Sequence, residues 1–359
     1  MAAQMPAEFR ASHLLKRVAQ LAAVVIVVVI AINALPGLDE VKQRLDDADP
    51  FWVAMIVVAE VGSCLGYLVV FRATFCASMP WGLSYQIAMA ELAANSLLPS
   101  GGAGGLALGV WALKQAGMPT GHIARRTVAF FVVTSAANFF VLILVGLAVF
   151  ADVLSGKDDA NRSLVPAVIT ALGALIVGLS PRLLRALGKR GQQIKREGKE
   201  GRIRKALRSS LEAVADGVDQ AKGLLRHHSF GVVVGSLGYM AFDIAALGAA
   251  FAATSQVPTF ATLVLAYLIG QLGNLIPLPG GIGGTEGALI GVFALYGVSL
   301  TEASAAVLAY RLFQLFVPAL LGVPAFVLLR RTLMHADHPA AMCAPLAVDV
   351  VKIPARSTS

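Results

Sequence analysis

The sequence predicts an all-α, polytopic membrane protein. About six full transmembrane helices accompany two oppositely oriented, broken (re-entrant) helical hairpins in an inverted repeat. Three observations predict this. Hydrophobic residues make up 57% of the 359-residue chain and charged residues only 14%, against about 25% charge in a soluble domain, and mean hydropathy is +0.75. Two glycine-rich breaks, Asn95–Gly105 and Asn274–Gly284, align without a gap at an offset of 179 residues, with the asparagine and four glycines coincident. The charges are unevenly placed along the chain, which orients the spans.

Apolar stretches long enough to cross a bilayer fall at 18–35, 51–71, 127–150, 163–180, 230–253 and 303–329. The first follows Arg10, Lys16 and Arg17 and has the flanks of a signal peptide, but its length fits an uncleaved first helix better. Two further apolar regions, 83–117 and 259–297, are interrupted by the glycine motifs. In the first, the arms 83–98 and 106–117 are roughly 24 and 18 Å long as helices, short of a core about 30 Å thick. In the second, the exit arm 285–297 is again short. Each region reads as a hairpin that enters the bilayer and turns back.

Segment 181–229 holds 13 Lys/Arg and five Asp/Glu, so it accounts for the whole formal charge of +8. Loop 36–50 holds five acids against Lys42 and Arg44, and loop 151–162 three acids against Lys157 and Arg162. The positive-inside rule places 181–229 in the cytoplasm and the acidic loops outside. Arg10, Lys16, Arg17, Arg330 and Arg331 then put both termini inside. Arg72, Arg125 and Arg126 make the first hairpin enter from the cytoplasm, and the same reasoning makes the second enter from the other face. The resulting division is a cytoplasmic N-terminus 1–17, a first membrane half 18–180, a basic linker 181–229, a second half 230–331 and a disordered tail 332–359. The expected location is a bacterial cytoplasmic membrane. Residues 202–226 show helical spacing of Leu207, Leu211, Val214, Val218 and Leu225. That segment reads as a surface helix attracting anionic lipid, or as a plain solvated connector.

Paired glycine/proline breaks in two halves point to a binding site of transporter type. The candidate residues are Gly101, Gly102, Gly104, Gly105, Gly280, Gly281, Gly283 and Gly284, whose turns would present backbone N–H groups and helix N-termini to an anionic headgroup. Close packing of helices through small residues is the structural alternative. Asn95 and Asn274 are placed to satisfy free backbone groups or to touch ligand. Charged residues within spans cost about 2.5–3.5 kcal/mol each on insertion scales, which singles out Glu60, Glu91, Asp243, Glu286 and Arg311. Glu286 and Arg311 suit binding of a zwitterionic or anionic headgroup, or proton exchange. Helix capping by Glu286 and a purely structural ion pair is the alternative. For Glu60 and Asp243, interhelical pairing stands equally open, and Glu91, one turn before Asn95, suits the same cavity.

An enzymatic reading rests on Asp47-Ala48-Asp49, a DxD pattern of metal-holding loops. Asp49-Pro50 is equally the start of a helix. The outside loops are too short for an acceptor domain, and no Ser/His/Asp, His-x-x-x-His or phosphate-binding lysine motif is visible. Cys64, Cys76 and Cys343 make no metal pattern and read as apolar fillers. His335 and His338 are too sparse for a metal. No cofactor, metal or nucleic acid is expected.

At Asn274–Glu286, with Gly297-Val298 and Arg311, the chain resembles the transmembrane domain of bacterial lysylphosphatidylglycerol synthases and the related stand-alone UPF0104 membrane proteins. The first motif, through Leu113 and Gly117-Met118-Pro119, fits the same pattern, and the match covers most of 15–331. The resemblance implies lipid handling: a flippase for a phospholipid or other amphipathic lipid with an anionic or zwitterionic headgroup. A lipid-modifying enzyme or a scaffold for one are the alternatives, and a homo-oligomer or an enzyme partner is compatible with it. About 28 residues follow Arg331, too few for the family's soluble aminoacyl-transferase domain, so transport rather than synthesis is expected. The helix after the first motif, Leu106–Leu113, carries no base before Lys114, where many relatives have one earlier.

Overall fold

A computed structural model describes residues 39–97, 103–151, 153, 216–226, 229–271 and 284–335. Among these residues the chain is all helical: α1 (Asp39–Asp46), α2 (Pro50–Phe75), α3 (Trp81–Leu97), α4 (Ala103–Gln115), α5 (Thr120–Phe150), α6 (216–226), α7 (Ser229–Thr254), α8 (Phe260–Gly270), α9 (Gly284–Leu295) and α10 (Leu300–His335). Four of them, α2, α5, α7 and α10, are long and apolar enough to cross a membrane. These match four of the expected spans, with α5 beginning earlier, so that Arg125 and Arg126 lie inside its first turns. The expected spans 18–35 and 163–180 lie outside the described residues.

The helix boundaries repeat. α2 and α7 are both 26 residues long and start 179 residues apart, and α3 and α8 start 179 apart. α4 and α9 both end in a glycine with positive φ, Gly117 (90°) and Gly297 (81°). The caps are the same: Met118 N–H donates to Leu113 O at 3.0 Å, and Val298 N–H to Phe293 O at 3.1 Å. Glycine takes this left-handed position without the Cβ penalty, and the bonds satisfy carbonyls at the helix end. The unit repeated is therefore a short helix, a long helix, two short arms and a second long helix. Pro50 at the first helical position and the Asp49 side chain, which accepts from Phe51 N–H at 2.9 Å, start α2. Asp49 thus has the helix-start role.

α2 and α7, which are equivalent in the two repeats, pack directly on each other and run antiparallel. Gly62 faces Phe242, Gly66 faces Tyr239, Gly235 faces Val70 and Gly231 faces Ala73. A Cβ on Gly66 or Gly235 would run into the partner's backbone. The glycines of Gly62-x-x-x-Gly66 and Gly231-x-x-x-Gly235 thus let two backbones approach, the usual role of small residues at four-residue spacing. Ser63 adds a hydrogen bond to the Tyr239 carbonyl at 3.2 Å. The closest approach runs from Gly62 to Ala73 on α2 and from Gly231 to Phe242 on α7.

Two apolar cores lie toward opposite ends of this pair. One gathers the C-terminal half of α2, the α3–α4 hairpin, the start of α5 and the end of α10, including Phe71, Ile87, Leu113, Ile123 and Leu329. The other gathers Ile56 near the start of α2, the α8–α9 arms, the end of α5 and the start of α10, including Phe251, Leu265, Phe293 and Val307. Within each hairpin the arms are antiparallel neighbours: Gly105 meets Asn95 and Gly109 meets Glu91, while Gly270 meets Leu289. The short helices cross over between repeats. α1 reaches α10 through Arg44 and Glu302 at 3.4 Å, and α6 packs Gly217 against Val128 of α5. The apolar face expected to include Val218 and Leu225 is rotated: Val218, Ala221 and Leu224 are buried while Leu225 is exposed. This part of the linker docks on the protein. The outer surface is apolar in turn, with Phe131, Phe140, Leu144 and Leu147 exposed along α5, as expected of a lipid-facing helix.

Replacing Gly66 by leucine is expected to push α2 off the α7 backbone and to lower stability by at least about 2 kcal/mol, the scale of overpacking a tight contact. Gly82→Ala, at a site with no neighbour within 4 Å, is expected to change stability by less than about 1 kcal/mol. Thermal unfolding of detergent-purified variants, followed by fluorescence-detected gel filtration, measures both.

Candidate functional site

Four helices of the second half, with α2 of the first, bring ionisable and polar side chains together. Asp243, in the middle of α7, is 2% exposed. Its carboxylate accepts from the Tyr310 hydroxyl at 3.0 Å and from Gln314 Nε2 at 3.2 and 3.3 Å. It also accepts from the Tyr267 hydroxyl of α8. Gln314 turns its amide oxygen to Arg311 Nη1. Arg311 Nε in turn donates to Glu286 Oε1 of α9 at 2.7 Å. The chain of contacts is therefore Asp243, Gln314, Arg311, Glu286, with Tyr267 and Tyr310 closing around Asp243. Tyr310 and Gln314 are four residues apart on α10 and reach Asp243 together, while Arg311, three residues before Gln314, joins through the Gln314 amide oxygen.

Glu60 enters from α2. It is 2% exposed, lies within electrostatic range of Asp243 and Arg311, and its Oε1 has no hydrogen-bond partner among the described residues. The ion pair is less sequestered, with side-chain exposures of 15% for Arg311 and 12% for Glu286. Taking such groups out of water is costly, and mutual hydrogen bonds offset that cost only if nearly every lone pair is used. Asp243 meets that condition; Glu60 does not.

The first half has a smaller cluster. Asn95 Oδ1 accepts the Gly105 N–H at 2.9 Å, which satisfies a free donor at the start of α4 from across the break. A Cβ on Gly105 would collide with that amide. Glu91 is 9% exposed, packs on Gly109 and lies in electrostatic range of Tyr67, and its Oε2 has no partner among the described residues. The buried indole Nε1 of Trp111 on α4 is likewise without one. Tyr67 stacks edge-on against Tyr239 of α7, with ring centroids 5.6 Å apart. Tyr239 in turn lies in electrostatic range of Asp243 and Glu60.

The structure thus joins Glu286 to Arg311, and Glu91, Asn95, Gly104 and Gly105 to one hairpin. It seats these two sets in different cores rather than in one cavity. Gly284 opens α9 beside Thr285 and Glu286. Asn274, Gly101, Gly102, Gly280, Gly281 and Gly283 lie outside the described residues. Sequence reasoning missed Tyr239, Tyr267, Tyr310 and Gln314. The signal available for two of them was spacing, since Tyr310 and Gln314 flank Arg311 on one face of an otherwise apolar helix. Along α2 and α7, an apolar groove is lined by Trp52, Met55, Ala59, Phe242, Ala249 and Val257. Ala59 and Phe242 adjoin Glu60 and Asp243 in sequence, so the groove runs close to the polar cluster.

The family model described as the lysylphosphatidylglycerol synthase TM region matches residues 18–322. A "UPF0104 membrane protein" of Methanothermobacter thermautotrophicus is 36% identical over 93 residues. That aligned stretch covers 26% of this chain and 26% of the relative.

Removing Arg311 alone strands Glu286 as a poorly compensated carboxylate. Arg311→Met is expected to cost about 3 kcal/mol, the lower end for breaking a buried pair. Combining it with Glu286→Gln should recover at least about 1 kcal/mol, the sign of direct coupling. A double-mutant cycle on thermal stability measures this; strictly additive losses would contradict the pairing.

Proposed function

This chain belongs to the lysylphosphatidylglycerol synthase TM-region family, and on that premise we propose that it moves an amphipathic lipid between bilayer leaflets. It is a multi-pass membrane protein. The observation that carries the proposal is the pair of repeat-equivalent helices, α2 and α7, packed antiparallel with a hairpin toward each end. We read the two hairpins as re-entrant from opposite faces of a bilayer, an inverted repeat, and the antiparallel packing supports this. In that architecture binding sites sit at the repeat interface near the midplane.

A headgroup that crosses the apolar core needs polar partners at every depth. In this proposal Glu286 and Arg311 receive an anionic or zwitterionic headgroup, because their pair is the most accessible part of the cluster. The guanidinium recognises a phosphate and the carboxylate a positive group. The Gly104–Gly105 turn, held by Asn95, offers backbone donors in the other hairpin. The apolar groove on the α2–α7 seam takes an acyl chain while the headgroup is inside. Both termini and the basic segment 181–229 are placed in the cytoplasm by the positive-inside rule.

A leaflet-translocation assay in proteoliposomes tests this. Fluorescent phosphatidylglycerol, its aminoacylated form and a polyprenyl-phosphate lipid are the probes. Wild type is expected to translocate at least one of them. Glu286→Gln removes a charge-assisted contact of about 1.5–3 kcal/mol, so its rate should fall by roughly tenfold or more. Gly105→Leu, which disrupts the first turn, should fall similarly. Well-folded protein that moves none of the three overturns the proposal for those lipids and favours an intramembrane enzyme or a scaffold.

A further inference from the structure

We propose that the protein also carries protons across the membrane, and that the Glu60 carboxyl is the group that carries them. What the proton flux would drive rests on the lipid-transport reading; the flux itself does not.

The argument begins with charge. Glu60 stands in the middle of an apolar 26-residue helix. The groups facing it are Cys64 on its own helix, Tyr239 and Asp243 on α7, and Tyr310 and Arg311 on α10. Arg311 is the one cation among them, and it is engaged by Glu286 and Gln314. Asp243 already receives three donors. Glu60 is left buried, with Oε1 unpartnered among the described residues. Among the described residues three carboxyls therefore share one guanidinium, and a proton on Glu60 is the positive charge that can arrive and depart. A proton needs only the carboxylate itself. A metal ion needs several ligands, and among the described residues no group of three His, Cys, Asp or Glu is placed to hold one.

Position supplies the second part. Glu60 is ten residues from the start of α2 and fifteen from its end, or roughly 15 and 22 Å along the helix. It sits beside the antiparallel seam and between the two cores. Polar side chains lead away from it in both directions. Toward the second hairpin they are Asp243, Tyr310, Gln314, Arg311 and Glu286. Toward the first they are Tyr239, Tyr67 and Glu91. The step balances without any other reactant. The Glu60 carboxylate takes a proton from water on one side, forming one O–H bond and a neutral acid. It releases that proton to water on the other side and is a carboxylate again. The gradient supplies the free energy.

The test uses the full chain in phosphatidylethanolamine/phosphatidylglycerol vesicles containing a trapped pH dye, with a membrane potential imposed by potassium and valinomycin. Wild type is expected to acidify the lumen faster than protein-free vesicles. Glu60→Gln should fall to the protein-free rate, and Asp46→Asn, at an exposed position on α1, should match wild type. Wild type indistinguishable from protein-free vesicles, or Glu60→Gln equal to wild type, overturns the proposal. A second measurement avoids variants. Dicyclohexylcarbodiimide modifies protonated carboxyls in apolar surroundings, so it should label Glu60 in wild type and abolish the flux. Full labelling of Glu60 with the flux intact overturns the proposal. Fluorescent phosphatidylglycerol translocation is followed in the same vesicles. Lipid movement without proton uptake removes this proposal and leaves the lipid reading. Proton uptake that depends on Glu60 without lipid movement does the reverse.

Discussion

The structure depends on one contact, the glycine-lined crossing of α2 and α7. Helix association within a membrane gains little from the hydrophobic effect, because lipid tails are as apolar as the side chains. Close approach of backbones replaces it, and Gly62, Gly66, Gly231 and Gly235 make that approach possible over the C-terminal half of α2 and the N-terminal half of α7. Because the two helices are equivalent elements of a repeat and run antiparallel, everything attached to them follows. The arms after α2 gather at one end and the arms after α7 at the other. The short helices α1 and α6 then pack on the long helix of the opposite repeat. Exchange of this kind ties the halves together more firmly than the seam alone.

The repeat is alike in backbone plan and unequal in chemistry. Asp243, Glu286 and Arg311 sit in the second half, where the equivalent part of the first half is mostly apolar. Glu91 sits in the first hairpin, where the second has Gly270 in place of the acid. The Asp243 network is nearly saturated with donors and is suited to stay fixed. The Glu286–Arg311 pair is partly open, and Glu60 Oε1 has no hydrogen-bond partner among the described residues. Rigid and responsive groups are thus neighbours on the same five helices.

Much of this was legible in the sequence, for physical reasons. Composition and the 179-residue offset revealed membrane class and repetition, because backbone breaks in apolar sequence require glycine and proline. Glu286 and Arg311 stood out because charge in a span is expensive, and they are paired. Asn95 was open between a structural and a ligand role; its bond to Gly105 shows the structural contact. The α2–α7 seam was not read, although two four-residue glycine spacings mark it, because small residues serve both packing and breaks. Tyr239, Tyr267, Tyr310 and Gln314 were missed because uncharged polar residues are cheap in a span and only their neighbours in space reveal a network. The linker helix was misread by one position: Leu224 rather than Leu225 faces the core, since docking on α5 rather than amphipathic balance sets its rotation.

The central claim is that the two halves are inserted with opposite orientation. Thr120 and Leu300 begin α5 and α10, are both exposed, and follow the matched turns at Gly117 and Gly297. Single cysteines at these two positions, in a background with Cys64, Cys76 and Cys343 replaced, would be treated in intact spheroplasts with a membrane-impermeant maleimide. The account predicts labelling of Leu300→Cys and protection of Thr120→Cys until the membrane is permeabilised. Labelling of both positions from the same side would contradict it.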